Sequence, residues 1–272
     1  MKLLIFGNGW LGNILRDYFV LQGYEVELSG HKKLEHVPVE DLEKEISAVN
    51  VVINVAGKTN IDFCEKNQEE TFVANVMVAH RLAKICKKTG TKYVFFSSAC
   101  IFQSKHANDI KHERSKPNPG CYYAETKVAA EQLITAVLPE ALIIRPRLPV
   151  HSVPHPRNTV DKLLSYKKIH NNQESITIVD DLLPVLKGLL ESNASGAYNL
   201  TNPGTVSPVE IAKLFDHPGF EVFTKEEEVK QMKEEGRAVR VSTIIGTKKG
   251  VFLSPVHGSL LSIAEKYKQH KV

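Results

Sequence analysis

The sequence has few cysteines, and they do not form a recognisable cluster. The four are Cys64, Cys86, Cys100 and Cys121. None belongs to a CxxC pair and no histidines accompany them at zinc-site spacing, so we predict neither a metal site nor a disulfide framework. Thiols without such a framework are typical of a reducing compartment, and we expect a cytoplasmic protein.

Long apolar segments and blocks of like charge are also missing. No stretch approaches the roughly 20 apolar residues that span a membrane. Residues 1–6 form a short apolar run that meets a glycine at once, unlike a secretory signal. The net charge is +4, with lysine and arginine spread through the chain, so we expect no nucleic-acid partner and favour a site for an anionic small molecule.

The chain does contain apolar strands that alternate with helical patterns. Strands are predicted at 2–6, 24–28, 51–55, 93–96 and 141–144, and helices at 10–21, 69–87 and 123–136. Continuous apolar strands that alternate with helices indicate a parallel sheet covered on both faces. We therefore predict an α/β fold, a Rossmann-type doubly wound parallel sheet.

The pattern changes after the fifth strand, where several prolines interrupt it. We predict a helix at 160–168 and a strand at 176–179. A further helix ends near Leu190, with Asp180 or Asp181 as its N-terminal cap.

The second half of the chain predicts a smaller lobe. The charged run at 225–235 is typical of a solvated helix face rather than a binding tail. We assign 1–150 to an NADP(H)-binding Rossmann domain and 151–272 mainly to a C-terminal substrate-binding lobe. Residues 176–202 are expected to return to the core sheet.

A glycine pattern opens the first helix. Gly7, Gly9 and Gly12 form GxGxxG directly after the first strand. Glycines there allow a tight turn and the close approach of a pyrophosphate, which sits on the helix N-terminus at Trp10 and Leu11. With a strand before it and a helix after it, this pattern predicts a dinucleotide site.

The end of the second strand indicates which dinucleotide is used. An acidic residue there holds the ribose hydroxyls and repels a 2′-phosphate. Glu27 lies just before this point, but the strand end itself has no acidic residue. Ser29 can hydrogen-bond a 2′-phosphate, and Lys32 or Lys33 can neutralise it, so we predict NADP(H) rather than NAD(H). Surface-loop lysines are the simpler alternative.

Four residues predict a reactive centre. Tyr123 and Lys127 are four residues apart and share one helix face, and a strand ending at Ser98 can deliver a hydroxyl to the same pocket. This trio suits the polarisation of a carbonyl beside a nicotinamide. Cys100 has no part in simple hydride transfer, so it is a candidate for a second catalytic group.

These motifs, in this order, resemble the extended short-chain dehydrogenase/reductases over essentially the whole chain. Residues 54–57 after the third strand and Asn75 in the next helix fit the same order. The resemblance implies that Tyr123 donates a proton, Lys127 lowers the tyrosine pKa and binds the nicotinamide ribose, and Ser98 orients the carbonyl. It also implies cofactor contacts from Val55, Ala56, Gly57 and Asn75.

Longer runs resemble enzymes of deoxysugar nucleotide synthesis, especially the bifunctional 3,5-epimerase/4-reductases that make nucleotide-linked rhamnose. These runs are 52–65, 99–102, 155–162, 175–184 and 198–207. In that group a cysteine two residues after the serine works with a base or acid beyond the fifth strand. Cys100 and Lys162 match these two positions, while His151, His155 and His170 are rival partners.

The same resemblance suggests residues that contact the substrate. Arg157 and Asn158 either contact the diphosphate or sugar or shape their loop. Thr59 and Asn60 follow the third strand, at the edge where ligands bind, and are expected to face the sugar together with Ser98 and Cys100. Segment 225–249 matches nothing clearly, so base recognition is left open.

Taken together, the leading hypothesis is an enzyme that epimerises a nucleotide-linked 4-keto-6-deoxyhexose at C3 and C5 and reduces it at C4 with NADPH. A monofunctional 4-keto reductase, a nucleotide-sugar epimerase and a cofactor-binding regulatory subunit are the alternatives. A homodimer is plausible, since the resembled family often pairs helices across a two-fold axis. The choice among UDP, dTDP and GDP sugars stays open.

Overall fold

The computed structural model describes residues 1–235, 242–250 and 253–270, so residues 236–241 of the segment 225–249 lie outside it. The described chain forms two compact units. The first contains Met1–Ile101, Cys121–Ile144 and Asn193–Tyr198. The second contains Phe102–Gly120, Arg145–Ser192 and Asn199–Val272.

A parallel sheet forms the centre of the first unit. Its strands are β1 (Lys2–Phe6), β2 (Glu25–Leu28), β3 (Val51–Asn54), β4 (Lys92–Phe96), β5 (Leu142–Arg145) and an edge strand (Gly196–Asn199). Their order is β2, β1, β3, β4, β5 and then the edge strand, with β1 to β5 all parallel. β1 lies inside the sheet, with β2 on one side and β3, β4 and β5 on the other, and this doubly wound parallel sheet confirms the predicted Rossmann-type fold.

Helices cover this sheet because its strands are apolar on both faces. They are α1 (Trp10–Leu21), α2 (Val39–Ser47), α3 (Ile61–Lys66), α4 (Gln68–Phe72), α5 (Val78–Thr89) and α6 (Tyr122–Val137). Leu4 and Phe6 pack with Leu82 and Ala130 in one core cluster, and the alternate residue Ile5 is equally buried. Burying both faces gives the strands their continuous apolar sequence.

The predicted helix at 69–87 contains a change of helical type. It begins as α4, passes through a π-helical turn at Val73–Met77 and continues as α5. It ends where Gly90 adopts a left-handed conformation, with φ of 71°. The sequence patterns did not predict α2 and α3, which are short amphipathic helices.

The second unit contains two small parallel strand pairs and the remaining helices. Its elements are β6 (Pro149–Val150), α7 (Thr159–Leu164), β7 (Lys168–Ile169), β8 (Thr177–Ile178), α8 (Val179–Glu191), α9 (Pro208–Leu214), β10 (Glu221–Val222), α10 (Lys225–Glu234) and α11 (Val256–Gln269). The edge strand Gly196–Asn199 of the first sheet is β9 in chain order. β6 pairs with β8, and β7 pairs with β10. No helix of the described residues is long and apolar enough to cross a membrane.

Two expectations for this half were wrong. The helix predicted at 160–168 ends at Leu164, because the Ser165 hydroxyl donates to the Lys162 carbonyl and Lys168 joins a strand instead. Neither Asp180 nor Asp181 is the N-cap of α8. That position is Ile178, and both carboxylates bind other side chains of the second unit.

A buried ion pair lies in the second unit. The Arg147 guanidinium donates to the Glu174 carboxylate at 2.6 Å, with the two side chains only 10% and 4% exposed. The same carboxylate accepts the backbone N–H of Thr243. It therefore ties the chain after the fifth strand to a segment far along the sequence.

We expect Glu174→Ala to destabilise the protein by about 3–5 kcal/mol, because it removes the carboxylate that pairs with the buried Arg147 charge. Glu191→Ala is the matched control, since it removes a carboxylate whose partner Lys187 lies one helical turn away at the surface. That change should cost below about 1 kcal/mol. Thermal and urea unfolding measure both variants, and equal losses would contradict the assignment.

Candidate active site

The glycine loop between β1 and α1 is built around close backbone contacts. Gly7 has φ of 114°, and a Cβ there would lie 2.7 Å from the Ala56 nitrogen. A Cβ on Gly12 would lie 1.9 Å from the Gly7 carbonyl oxygen. Gly9 is the N-cap of α1 and has no side chain to cover the helix start at Trp10 and Leu11. Only glycines fit these contacts, and the resulting cradle suits a pyrophosphate.

The loop after β2 carries the residues predicted to select the cofactor. Ser29 is buried, and its hydroxyl accepts the His31 N–H at 3.4 Å. Lys32 is exposed. The Glu27 carboxylate pairs with the Lys2 ammonium of β1 at 3.5 Å, so its charge is engaged one position before the end of β2. The loop thus presents a hydroxyl and a cation.

One histidine of this loop was not predicted. The His31 Nε2 atom lies 2.7 Å from the Glu45 carboxylate of α2. The pair fixes the loop against α2. This contact could not be predicted from the sequence patterns, because α2 itself was not predicted.

The turn after β3 is held by Asn54, which is almost fully buried. Its side chain accepts the Ala56 N–H and donates to the Tyr93 hydroxyl at 2.8 Å. That hydroxyl donates in turn to the Ala79 carbonyl of α5. Val55, Ala56 and Gly57 therefore leave the sheet edge along a fixed path.

Asn75 connects this turn to α6. It lies in the π-helical turn and is 1% exposed, and its side chain accepts the Lys58 N–H at 2.7 Å and donates to the Lys58 carbonyl at 3.0 Å. It also donates to the Thr126 hydroxyl, which donates to the Tyr123 carbonyl. In this structure Asn75 therefore positions the turn after β3 and the helix that carries Tyr123. π-helical turns often occur at such functional positions.

Ser98, Tyr123 and Lys127 meet, as the sequence predicted. All three are buried, with exposures of 6%, 8% and 3%. Tyr123 hydrogen-bonds with Ser98. The Lys127 ammonium donates to the Phe96 carbonyl at 3.0 Å and lies 5.9 Å from the centre of the Tyr123 ring. The helix face and the end of β4 thus place the three groups together.

Burial sets the protonation of these groups. It raises the pKa of Tyr123, the nearby Cys100 adds to this rise, and the bond with Ser98 opposes it. Burial lowers the pKa of Lys127 to about 8, although the negative charge of Glu131 opposes this. At neutral pH the tyrosine therefore keeps its proton and can donate it.

Cys100 lies on the short 3-10 turn Ala99–Ile101, where it is half-buried. Its backbone N–H donates to the Ser98 hydroxyl at 3.1 Å. Two further thiols, Cys64 and Cys121, also interact electrostatically with Tyr123. Burial raises the pKa of Cys64, which favours its neutral form. Neither thiol was predicted to lie near the tyrosine.

Glu65 of α3 is a second residue that the sequence did not single out. Its carboxylate accepts the Tyr122 N–H at 2.8 Å, directly before Tyr123. A carboxylate at a helix N-terminus is stabilised by the helix dipole and satisfies an end N–H group. Glu65 therefore caps the helix that carries the tyrosine and the lysine.

The remaining predicted residues have simpler surroundings. Thr59 and Asn60 are exposed, and the Asn60 side chain caps α3 by accepting the Phe63 N–H. In the second unit, Lys162 is solvent-accessible, and partial desolvation together with Arg157 lowers its pKa.

Asn158 has the role of shaping its loop. It is fully buried, caps α7, and its side chain also bonds the backbone of His151 and Val153. Arg157 is exposed, and its backbone N–H donates to the Nδ1 atom of the His155 ring. Among the described residues, no group of three or more histidine, cysteine or acidic side chains is arranged to hold a metal ion.

The lowered pKa of Lys127 predicts how the folding stability of the protein changes with pH. Its folded pKa of about 8 lies below the ordinary value of 10.5. The unfolded chain therefore binds more protons between these values, so the stability of the wild type relative to Lys127→Met should rise as the pH increases from about 8 to about 10.5. Thermal unfolding across this range measures it. Lys87→Met, at an exposed position of α5, is the control, and a constant difference between wild type and Lys127→Met would contradict the pKa.

Comparison with known proteins shows the family of this chain. The RmlD substrate binding domain family matches residues 1–239. A bifunctional dTDP-4-dehydrorhamnose 3,5-epimerase/dTDP-4-dehydrorhamnose reductase from Arabidopsis thaliana is 33% identical over 244 residues, which cover 84% of this chain and 81% of that protein. The crystal structure of a UDP-rhamnose synthase from Acanthamoeba polyphaga mimivirus has a TM-score of 0.88 at 27% identity and covers 98% of this chain and 99% of its own.

A longer relative matches over only part of its length. It is a trifunctional UDP-glucose 4,6-dehydratase/UDP-4-keto-6-deoxy-D-glucose 3,5-epimerase/UDP-4-keto-L-rhamnose-reductase, also from Arabidopsis thaliana. The two are 34% identical over 248 residues, which are 85% of this chain but 36% of that protein. This chain thus spans about a third of the trifunctional relative. The chain belongs to the RmlD substrate binding domain family, and the prediction of an NAD(P)-dependent nucleotide-sugar enzyme is confirmed.

Proposed function

We propose that this enzyme epimerises a nucleotide-linked 4-keto-6-deoxyhexose at C3 and C5 and reduces it at C4 with NADPH, giving a rhamnose-type sugar nucleotide. The observation that carries the proposal is the cluster of Ser98, Tyr123 and Lys127 with Cys100 on the adjoining turn. The bifunctional plant relative, named for both reactions, supports it.

The reduction uses groups of the first unit. The cofactor, when bound on the Gly7–Gly12 cradle, supplies the hydride. Tyr123 holds its proton because burial raises its pKa, and it gives that proton to the C4 oxygen. Lys127 places a positive charge beside the tyrosine ring and stabilises the phenolate that forms. Ser98 orients the carbonyl by hydrogen bonding.

The epimerisation requires one group that removes a proton and another that returns one. The C4 ketone acidifies the C3 and C5 protons, because the C–H electron pair is taken up as an enolate. We assign the two tasks to Cys100 and Lys162, the two positions that the resemblance implies. Partial burial and the nearby Arg157 lower the pKa of Lys162, which makes its proton easier to release.

Two variants separate the two reactions. Tyr123→Phe removes the proton donor, and we expect NADPH oxidation to fall by about 100-fold or more with any 4-keto substrate. Cys100→Ala should instead lower turnover of the unepimerised ketone about 100-fold relative to that of the epimerised ketone. Both rates are read from NADPH absorbance with each ketone.

Cys121→Ala is the matched thiol control, because it removes another half-buried cysteine. It should keep the wild-type ratio of the two rates. If Cys100→Ala also keeps that ratio, Cys100 has no epimerase role. A wild type that turns over the epimerised ketone alone is a monofunctional reductase.

The preference for NADPH depends on the loop after β2. Lys32→Ala removes an exposed cation, and we expect the KM for NADPH to rise about ten-fold while the KM for NADH stays unchanged, since only NADPH carries the 2′-phosphate. Lys87→Ala removes an exposed cation from α5 and should change neither value. Equal effects of Lys32→Ala on the two cofactors would contradict the assignment.

A further inference from the structure

Helix α6 carries a buried acid to which the reduction step gives no task. Glu131 is 7% exposed and lies four residues after Lys127, which is 3% exposed. Residues four apart share one helix face, so these two side chains are neighbours. A carboxylate is rarely buried to this extent unless a positive charge or hydrogen bonds compensate it. The face of α6 that carries Tyr123 therefore carries an acid and a base together.

On the side of the sheet, the surroundings of the Lys127 ammonium are uncharged. The ammonium donates to the Phe96 carbonyl at 3.0 Å and lies 4.8 Å from the centre of the Phe95 ring, and both residues belong to β4. The turn after β3 also passes close by, since a Cβ on Gly57 would lie 3.8 Å from the ammonium nitrogen. These contacts stabilise a cation only in part, and burial lowers the pKa of Lys127 to about 8.

The titratable groups that act on this ammonium lie on α6, on α3 and on the 3-10 turn. Cys64 of α3 and Cys100 of the turn are thiols, and burial raises the pKa of Cys64, so that thiol is neutral at neutral pH. Tyr123 keeps its proton as well, because burial raises its pKa. Glu131 is the carboxylate of this group, and among these residues its charge favours the protonated form of Lys127 most strongly.

This influence of Glu131 requires no direct bond between the two side chains. Coulomb interactions between buried charges act over several ångströms and are screened little by salt. Glu131 can therefore favour the ammonium whatever other group its carboxylate binds. The reduction needs that charge, because a neutral lysine would not stabilise the phenolate that Tyr123 becomes when it gives up its proton.

We infer that Glu131 is a positioning residue that keeps the Lys127 ammonium charged while Tyr123 gives its proton to the C4 oxygen of the substrate. This role rests on the proposed function, because it belongs to the reduction step. Glu131 acts through the ammonium, and none of its own bonds forms or breaks. It therefore sets the upper end of the pH range in which the enzyme reduces its substrate.

The pH profile of the reduction tests this role. Glu131→Gln replaces the carboxylate by an amide of similar size and removes the charge. We expect the alkaline pH at which kcat/KM for the epimerised ketone with NADPH falls to half to decrease by about one unit, because Lys127 then loses its proton more easily. Glu131→Asp keeps the charge and should restore most of the wild-type profile.

Folding stability gives a second readout that needs no turnover. The stability of a protein relative to its Lys127→Met variant rises with pH from the folded pKa of Lys127 towards 10.5. In the Glu131→Gln background this rise should begin about one pH unit lower than in the wild type. Glu125→Gln is the matched control, since it removes an exposed carboxylate of the same helix, and it should change neither readout. If Glu131→Gln does not fold, Glu131→Met provides both measurements, because methionine is a good helix former of similar length.

Each result decides between distinct accounts. A lower rate at every pH, with both pH dependences unchanged in Glu131→Gln, identifies a purely structural residue and overturns the inference. Equal shifts in Glu131→Gln and Glu125→Gln indicate a general effect of net charge and also overturn it. A wild type that oxidises no NADPH with either ketone, while Glu131→Gln still shifts the stability curve, overturns the proposed function alone and confirms the coupling of Glu131 to Lys127.

Discussion

The burial of the Lys127 ammonium against the end of β4 is the constraint on which the first unit depends. This charge is almost completely removed from water and donates to the Phe96 carbonyl. A buried cation without such a partner would be costly, so α6 is held at the carboxyl edge of the sheet. The same placement brings Tyr123 beside Ser98. Packing and chemistry thus depend on one interaction.

Hydrogen bonds from neighbouring elements reinforce this placement. Glu65 caps the start of α6, and Asn75 links the same helix to the turn after β3. The glycine loop packs against that turn so closely that a single Cβ at Gly7 would collide with it. The glycine loop and the tyrosine are therefore linked through one connected edge of the sheet, which suits a reaction that needs accurate alignment.

Short-range sequence patterns predicted the fold and the proximity of Ser98, Tyr123 and Lys127, because strand apolarity, GxGxxG and an i to i+4 pair are local features of the sequence. The bonds of Glu65 and Asn75 could not be predicted in this way, since each joins residues distant in the chain. The helix α7 ends early because β7 pairs with β10, and this pairing joins residues that are distant in the sequence. Local helix propensity therefore could not predict where α7 ends. His151 was seen only as a rival partner, and Asp180 only as a possible cap, until the structure joined them in a hydrogen bond.

The central claim is that one chain performs both epimerisation and reduction. Its most direct test is the stereochemistry of the product that the wild type forms from a UDP- or dTDP-linked 4-keto-6-deoxyglucose and NADPH, determined by NMR. The account predicts a sugar inverted at C3 and C5 and reduced at C4. A product reduced at C4 with C3 and C5 unchanged, or no oxidation of NADPH with either substrate, would contradict it.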